Sequence, residues 1–275
     1  MSAWCRENNV TLVVMEASGG YEKLPYYMLW QDKLPCAIVN SRSVRQFAKG
    51  MDILEKTDRI DAGVIAYFAQ VREIAAQPPA PEHQQKLSDL ATRLRQLVEI
   101  RVAELNRKRL VTHAGVLEDI NDMLKIIERK INVIQSEINQ LIEADPLLDV
   151  LSEAFREVKG VADRTVTTLL AVMPELGLVT NKQASKIAGL APIANDSGKR
   201  NGKRSIRGGR PEIRSILFVV SQGICKWDEK LEAFHQRLLD AGKPAMVAKV
   251  AVAHKLLVKL NAIAREAREK MKPAT

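Results

Sequence analysis

The sequence predicts an α/β segment followed by a mainly helical remainder, and three patterns predict it. Two short apolar runs, "TLVVM" (residues 11–15) and "CAIVN" (36–40), flank the helix-like stretch "YEKLPYYMLWQDK". A heptad repeat fills the middle of the chain. The last part alternates helical stretches with glycine turns and one basic, glycine-rich segment.

Each element has a local reason. Both apolar runs are rich in β-branched residues, as in strands buried in a parallel sheet. Gly19 and Gly20 allow a tight strand-to-helix turn, so residues 11–40 read as a βαβ unit. "QPPAPE" (77–82) then forbids a continuing helix and makes a stiff linker. Beyond it Ile120, Leu124, Ile127, Ile131, Ile134, Ile138 and Leu141 alternate spacings of four and three, the seam of a coiled coil. Leu87, Leu90, Leu94 and Leu97 keep the same rhythm upstream, and the break near Gly115 predicts an antiparallel helical hairpin. That hairpin either closes on itself or also packs against a second copy. "VKGVADRTVTTLLAVMPEL" (158–176) has the form of a helix-hairpin-helix, whose second helix can face a phosphate with its first amides. Pro211 opens a further helix, and a long basic helix from Pro244 to about Lys270 ends the chain. The expected divisions are 1–79, 80–149 and 150–275.

Bulk properties narrow the function. The chain has 275 residues, 46% of them hydrophobic, enough for sizeable cores. Its 42 Lys and Arg against 33 Asp and Glu leave a net charge of +9, which points to a polyanionic partner, nucleic acid first. Aromatics at 4% disfavour a base-stacking platform. No apolar run reaches the roughly 20 residues of a spanning helix, and residues 1–10 lack the pattern of a secretory signal. Cys5, Cys36 and Cys225 are scattered, as expected in a reducing cytoplasm. His113 and His254 read as ordinary helix residues.

Three acids stand out. Glu16 directly follows the first apolar run, and the C-terminal end of a parallel strand is where such folds place chemistry. Asp58 and Asp61 are three residues apart, on one face of a helix. Together they could hold a divalent ion such as Mg²⁺, which prefers hard oxygen ligands. Equally, Asp58 could be a helix N-cap, Asp61 a complement to the helix dipole, and Glu16 a solvated loop acid.

The motifs "VVMEASGGYE", "VNSRSVRQFAKG", "KTDRIDAGVIAYFA" and "IAGLAPIANDSGKRNGKRSIRGGR", in that order, resemble the DEDD-type insertion-sequence transposases related to the Piv pilin-gene invertases. That group includes the bridge-RNA-guided recombinases. The resemblance implies an N-terminal RuvC-like (RNase H-like) domain, a coiled-coil linker and a C-terminal transposase domain with a catalytic serine. It assigns Glu16, Asp58 and Asp61 to the metal-binding acids and Ser197, in "DSGK", to the nucleophile. It also implies Mg²⁺, double-stranded DNA, a structured guide RNA and a homo-oligomer, with no membrane.

A serine hydroxyl is a weak nucleophile unless activated. Attack on a phosphodiester develops negative charge, which Lys199, Arg200, Lys203, Arg204, Arg207 and Arg210 are placed in sequence to neutralise. Gly198, Gly202, Gly208 and Gly209 would let backbone approach a phosphate and let the loop rearrange. Without the resemblance, the segment reads as a disordered basic loop with Ser197 a turn residue.

The family's tetrad begins with an aspartate ahead of the glutamate, whereas the first aspartate here is Asp32. The sequence therefore predicts an N-terminally truncated RuvC-like domain, an open strand edge and impaired cleavage. Two other readings remain: a non-catalytic nucleic-acid-binding oligomer, and a metal-dependent junction nuclease without serine chemistry.

Overall fold

The structure, a computed structural model, describes residues 1–55, 57–198, 202 and 204–271. They are mostly helical, with two two-stranded sheets, and divide into compact units at Met1–Pro81 and Glu82–Thr275.

In the N-terminal unit, α1 (Ser2–Glu7) precedes β1 (Val13–Glu16), which pairs in parallel with β2 (Cys36–Val39). The connection carries α2 (Lys23–Gln31), giving the expected βαβ order. Period-two alternation divides the strands between two apolar clusters. Val13, Met15 and Ile38 join the cluster of Cys5, Tyr26, Leu29 and Cys36, while Val14 and Val39 join that of Val44, Val64 and Phe68. The second cluster is closed by α3 (Ser41–Gly50) and α4 (Asp58–Val71). Each helix opens on a polar cap. Asn40 accepts from the Ser43 amide, and Thr57 accepts from that of Ile60. Each strand has a single neighbour among the described residues.

The second unit begins with α5 (Glu82–Lys108) and α6 (Ala114–Ala144), the predicted hairpin. Their antiparallel sense is visible in the ion pairs Lys86–Glu137 and Arg101–Glu128. Ile120, Leu124, Ile127 and Ile138 are buried, Ile131 and Ile134 half-buried, and the seam ends on Ile142 in place of Leu141. That one-residue turn of the stripe lets α6 reach the next helices, so Leu87, Leu94, Ile138 and Ile142 share one core with the C-terminal segment.

That segment folds as α7 (Pro146–Arg156), α8 (Asp163–Val172), α9 (Asn181–Ile187), the ribbon β3 (Pro192–Ile193) and β4 (Ser205–Ile206), α10 (Pro211–Ser221), α11 (Glu229–Asp240) and α12 (Ala245–Lys270). Helices α7 and α8 meet at Gly160, whose φ of +91° requires glycine, forming the expected helix-hairpin-helix.

The long basic helix carries a buried apolar stripe beside its lysines and arginines. α12 is the central core helix, with Ala248, Val252, Leu256, Leu257, Leu260 and Ala264 fully buried. Most of its cations are committed to holding neighbours. Lys259 pairs with Asp228 at 2.7 Å, Lys249 donates to Gln222, and Lys255 lies over the Phe234 ring. Arg265 and Arg268 donate to the carbonyls of Val179, Leu176 and Pro174. No helix among the described residues is long and apolar enough to cross a membrane.

Candidate functional site

Glu16 ends β1 opposite Val39, and the strand's alternation places it on the same face as Val14, the face covered by α4. The chain just beyond it is held firmly. The Ala17 amide donates to Val39 O (2.9 Å), and the Ser41 hydroxyl donates to Ala17 O (2.5 Å). The following turn is built around a second acid, Glu22. Its carboxylate accepts from the amides of Ser18 (3.0 Å) and Gly20 (2.8 Å) and from the Ser18 hydroxyl (3.2 Å). Burial pulls the Glu22 carboxyl up, but these hydrogen bonds outweigh it and hold the group below its ordinary range. The available sequence signal for Glu22 was an acid two residues after a Gly-Gly pair, whose free amides need an acceptor.

Asp58 and Asp61 open α4. The cap is Thr57, so Asp58 occupies the first helical position and is exposed; Asp61 is half-buried. The N-cap explanation for Asp58 is thereby removed, although both acids still favour the helix dipole. α4 packs on β1, the strand that carries Glu16. The donors are oxygens of the kind Mg²⁺ takes. Yet no three carboxylate, histidine or cysteine side chains among the described residues gather closely enough to hold a metal. The residues thus fit a metal in kind and not in arrangement.

Ser197 lies in the loop between β3 and β4, whose pairs are Pro192–Ile206 and Ile193–Ser205. It is exposed, and its hydroxyl has no hydrogen-bond partner among the described residues; such a hydroxyl needs a base or metal to become a good nucleophile. Asp196 closes the loop, accepting from the Gly202 amide at 3.1 Å and lying 3.7 Å from the Arg204 guanidinium. Gly202 is needed for packing, because a Cβ there would strike the carbonyl of Asn195.

The six predicted phosphate-neutralising cations have different surroundings. Lys199, Arg200 and Lys203 lie outside the described residues. Arg204 faces Asp196, and Arg207 is exposed with no partner among the described residues. Arg210 is engaged elsewhere: its two terminal nitrogens donate to both Glu175 oxygens at 2.7 and 2.6 Å, and one also reaches Val172 O at 2.7 Å. Burial raises the Glu175 carboxyl, and the Arg210 fork more than offsets this, leaving it below the ordinary carboxylate value. Sequence could not pair these two, which stand 35 residues apart.

The predicted freedom of the closing glycines is corrected in part. Gly209, at φ +67°, lies against Gly189, at φ +66°, and the Arg210 amide donates to Ile187 O at 2.7 Å. A Cβ on Gly209 would strike Gly189, and one on Gly189 would strike the Gly208 carbonyl, so Gly209 locks the ribbon base.

One Ser–His pair is also present. Ser185 and His254 Nε2 are 2.8 Å apart, but the buried serine hydroxyl donates to Asn181 O at 2.7 Å. The imidazole must then be the donor, and burial lowers its pKa, so the pair is structural. A cavity of about 460 Å³ between α5, α8 and α10 is bordered by Arg95, Arg164 and Ser215 and by none of the predicted site residues.

Comparison with known proteins finds a transposase match over each of the two groups of candidate residues. Residues 1–112, which contain Glu16, Asp58 and Asp61, match the DEDD transposase model of the IS110 type. Residues 152–236, which contain Ser197, match the transposase IS116/IS110/IS902 family. The pilin gene-inverting proteins of Moraxella lacunata and Moraxella bovis are each 27% identical over 270 residues, covering 95% of this chain and 82% of theirs. An uncharacterised 43.6 kDa protein of insertion element IS110 from Streptomyces coelicolor is 26% identical over 153 residues, 55% of this chain and 37% of that protein.

Proposed function

The chain belongs to the IS110 family of transposases, enzymes of DNA recombination, and we propose that it breaks and rejoins DNA through Ser197 with Glu16, Asp58 and Asp61 as metal ligands. The observation that supports this most directly is an exposed serine in a cationic loop whose two ends are held by a short ribbon.

In this reading the Ser197 Oγ attacks the scissile phosphorus and its proton passes to solvent. The DNA oxygen leaves with a proton, and a phosphoserine diester remains. Attack by a hydroxyl of the exchanged strand reverses the step, conserving the bond energy without ATP. Arg204 and Arg207 neutralise charge on the phosphoryl oxygens, as Lys199, Arg200 and Lys203 do by sequence. Glu16, Asp58 and Asp61 would have to draw together to hold Mg²⁺, which when bound would supply Lewis-acid stabilisation of the same charge. An RNase H-like character for the βαβ unit, a structured RNA partner and a homo-oligomer joined through the α5–α6 hairpin belong to the same reading.

The second reading, a non-catalytic nucleic-acid-binding oligomer, is favoured by one observation: the carboxylates do not gather into a metal cluster among the described residues. A suicide duplex with Mg²⁺ and RNA separates the two. The recombinase reading expects a covalent adduct at Ser197, lost in Ser197→Ala. Binding without any adduct favours the non-catalytic oligomer, and cleavage surviving Ser197→Ala favours a metal-dependent nuclease.

A further inference from the structure

We propose that Arg210 and Glu175 form a clamp that fixes the base of the β3–β4 ribbon and so positions Ser197, and that Arg210 does not contact DNA. This rests on the reading of Ser197 as the nucleophile.

Three observations carry it. The first is the fork itself, with two parallel N–H···O contacts and a third to a backbone carbonyl. A guanidinium held this way has most of its donors committed, and withdrawing it from the carboxylate would leave a half-buried charge unpaired.

The second is the rigidity of what Glu175 stands on. The turn 174–180 is tied to the core helix α12 from several sides. The fully buried Asn261 accepts from the Gly177 amide (2.9 Å) and donates to Val179 O (3.0 Å) and Asn181 Oδ1 (2.9 Å). Arg268 donates to the carbonyls of Pro174 and Leu176, each at 2.8 Å. Gly177, at φ +84°, lets the turn press on the α12 backbone, where a Cβ would lie 2.7 Å from the Ala264 carbonyl carbon.

The third is where Arg210 sits. It follows Gly209 directly, caps the start of α10, and is four residues beyond Ile206, the last residue of β4. Its own amide donates to Ile187 O, at the end of α9. Helix α9 leads into β3 through Gly189, so both ribbon strands emerge from this junction. Core helix, turn, carboxylate, guanidinium and ribbon base therefore form one chain of contacts, which ends at the two strands flanking Ser197.

Substitution separates a clamp from a phosphate contact because the two roles respond oppositely to loss of Glu175. In Glu175→Gln an amide group faces the guanidinium and the fork cannot close. The full-length chain with duplex DNA is the material, read by hydrogen exchange, cleavage rate and salt dependence of binding. The clamp expects faster exchange at Ile193, Ser205 and Ile206. It also expects adduct formation at Ser197 to fall roughly tenfold or more through the rate rather than KM, with the slope of log K against log [salt] unchanged. The exchange double variant Arg210→Glu/Glu175→Arg restores part of both. If Glu175→Gln instead binds DNA more tightly, with a slope steeper by about 0.9, Arg210 is a phosphate ligand and the clamp is wrong. Unchanged ribbon exchange would also overturn it. Should the parent form no adduct at all, the serine reading falls, while ribbon exchange still decides the clamp.

Discussion

Gly209 rests on Gly189 so closely that a Cβ on Gly209 would lie 2.5 Å from the Gly189 Cα and 2.7 Å from Ile187 O. Both residues also have positive φ. Gly209→Ala therefore combines left-handed backbone strain of about 1–2 kcal/mol with overpacking of about 1–3 kcal/mol. The expected loss is on the order of 3 kcal/mol, read as a lower urea midpoint at unchanged m. Gly198, also at positive φ but with open space around it, serves as the control. Its alanine variant suffers the strain alone.

This junction shows what a one-dimensional reading can and cannot reach. The βαβ unit, the hairpin seam and the turn at Gly160 were legible because each is written in local periodicity or a single turn residue. The partners of Arg210 and Gly209 were not, because both lie across the fold, on segments that carry no pattern of their own. The location of α12 was also not legible. Its lysines and arginines dominate the composition, while the buried stripe of Ala248, Val252, Leu256 and Leu260 sets its location. For the acids, sequence marked Asp58 and Asp61 by spacing, yet only the structure assigns the cap to Thr57 and reveals Glu22 beneath the Glu16 loop.

Asp228 offers a pH test of the C-terminal core. Burial pulls its carboxyl up, but hydrogen bonds from Lys259 and the Leu231 amide outweigh this and hold it below the ordinary value of 3.8. A depressed carboxylate contributes stability that is present above its unfolded pKa and lost as pH falls through the folded one. The acid limb of the stability profile should therefore steepen below about pH 3.8. Asp228→Asn keeps a competent N-cap for α11 and flattens that limb, whereas Asp228→Ala also loses about 1 kcal/mol at neutral pH. Thermal melts across pH 2.5–7 read both effects.

The hairpin's outer face bears on assembly. Ile126 and Val133, one heptad apart on α6, are 44% and 62% exposed, and Met123 beside them is 45% exposed. If the hairpin joins two copies, Ile126→Glu with Val133→Glu lowers the sedimentation mass to that of one chain while helix content stays at the parent level. An unchanged mass at micromolar concentration excludes this flank as the contact.

Arg207 and Arg210 are three residues apart and carry the same charge, but only Arg210 has a partner among the described residues. Every phosphate neutralised releases condensed counterions, so each true phosphate contact adds about 0.9 to the salt slope of duplex binding. Arg207→Gln should therefore weaken binding and flatten the slope by about that amount. Arg204, already facing Asp196 at 3.7 Å, must give up that partner to reach a phosphate. Its glutamine variant should flatten the slope less, and Asp196→Asn should increase affinity by freeing it. Equal slopes for the parent and Arg207→Gln would mean that the exposed edge of the ribbon base does not face DNA.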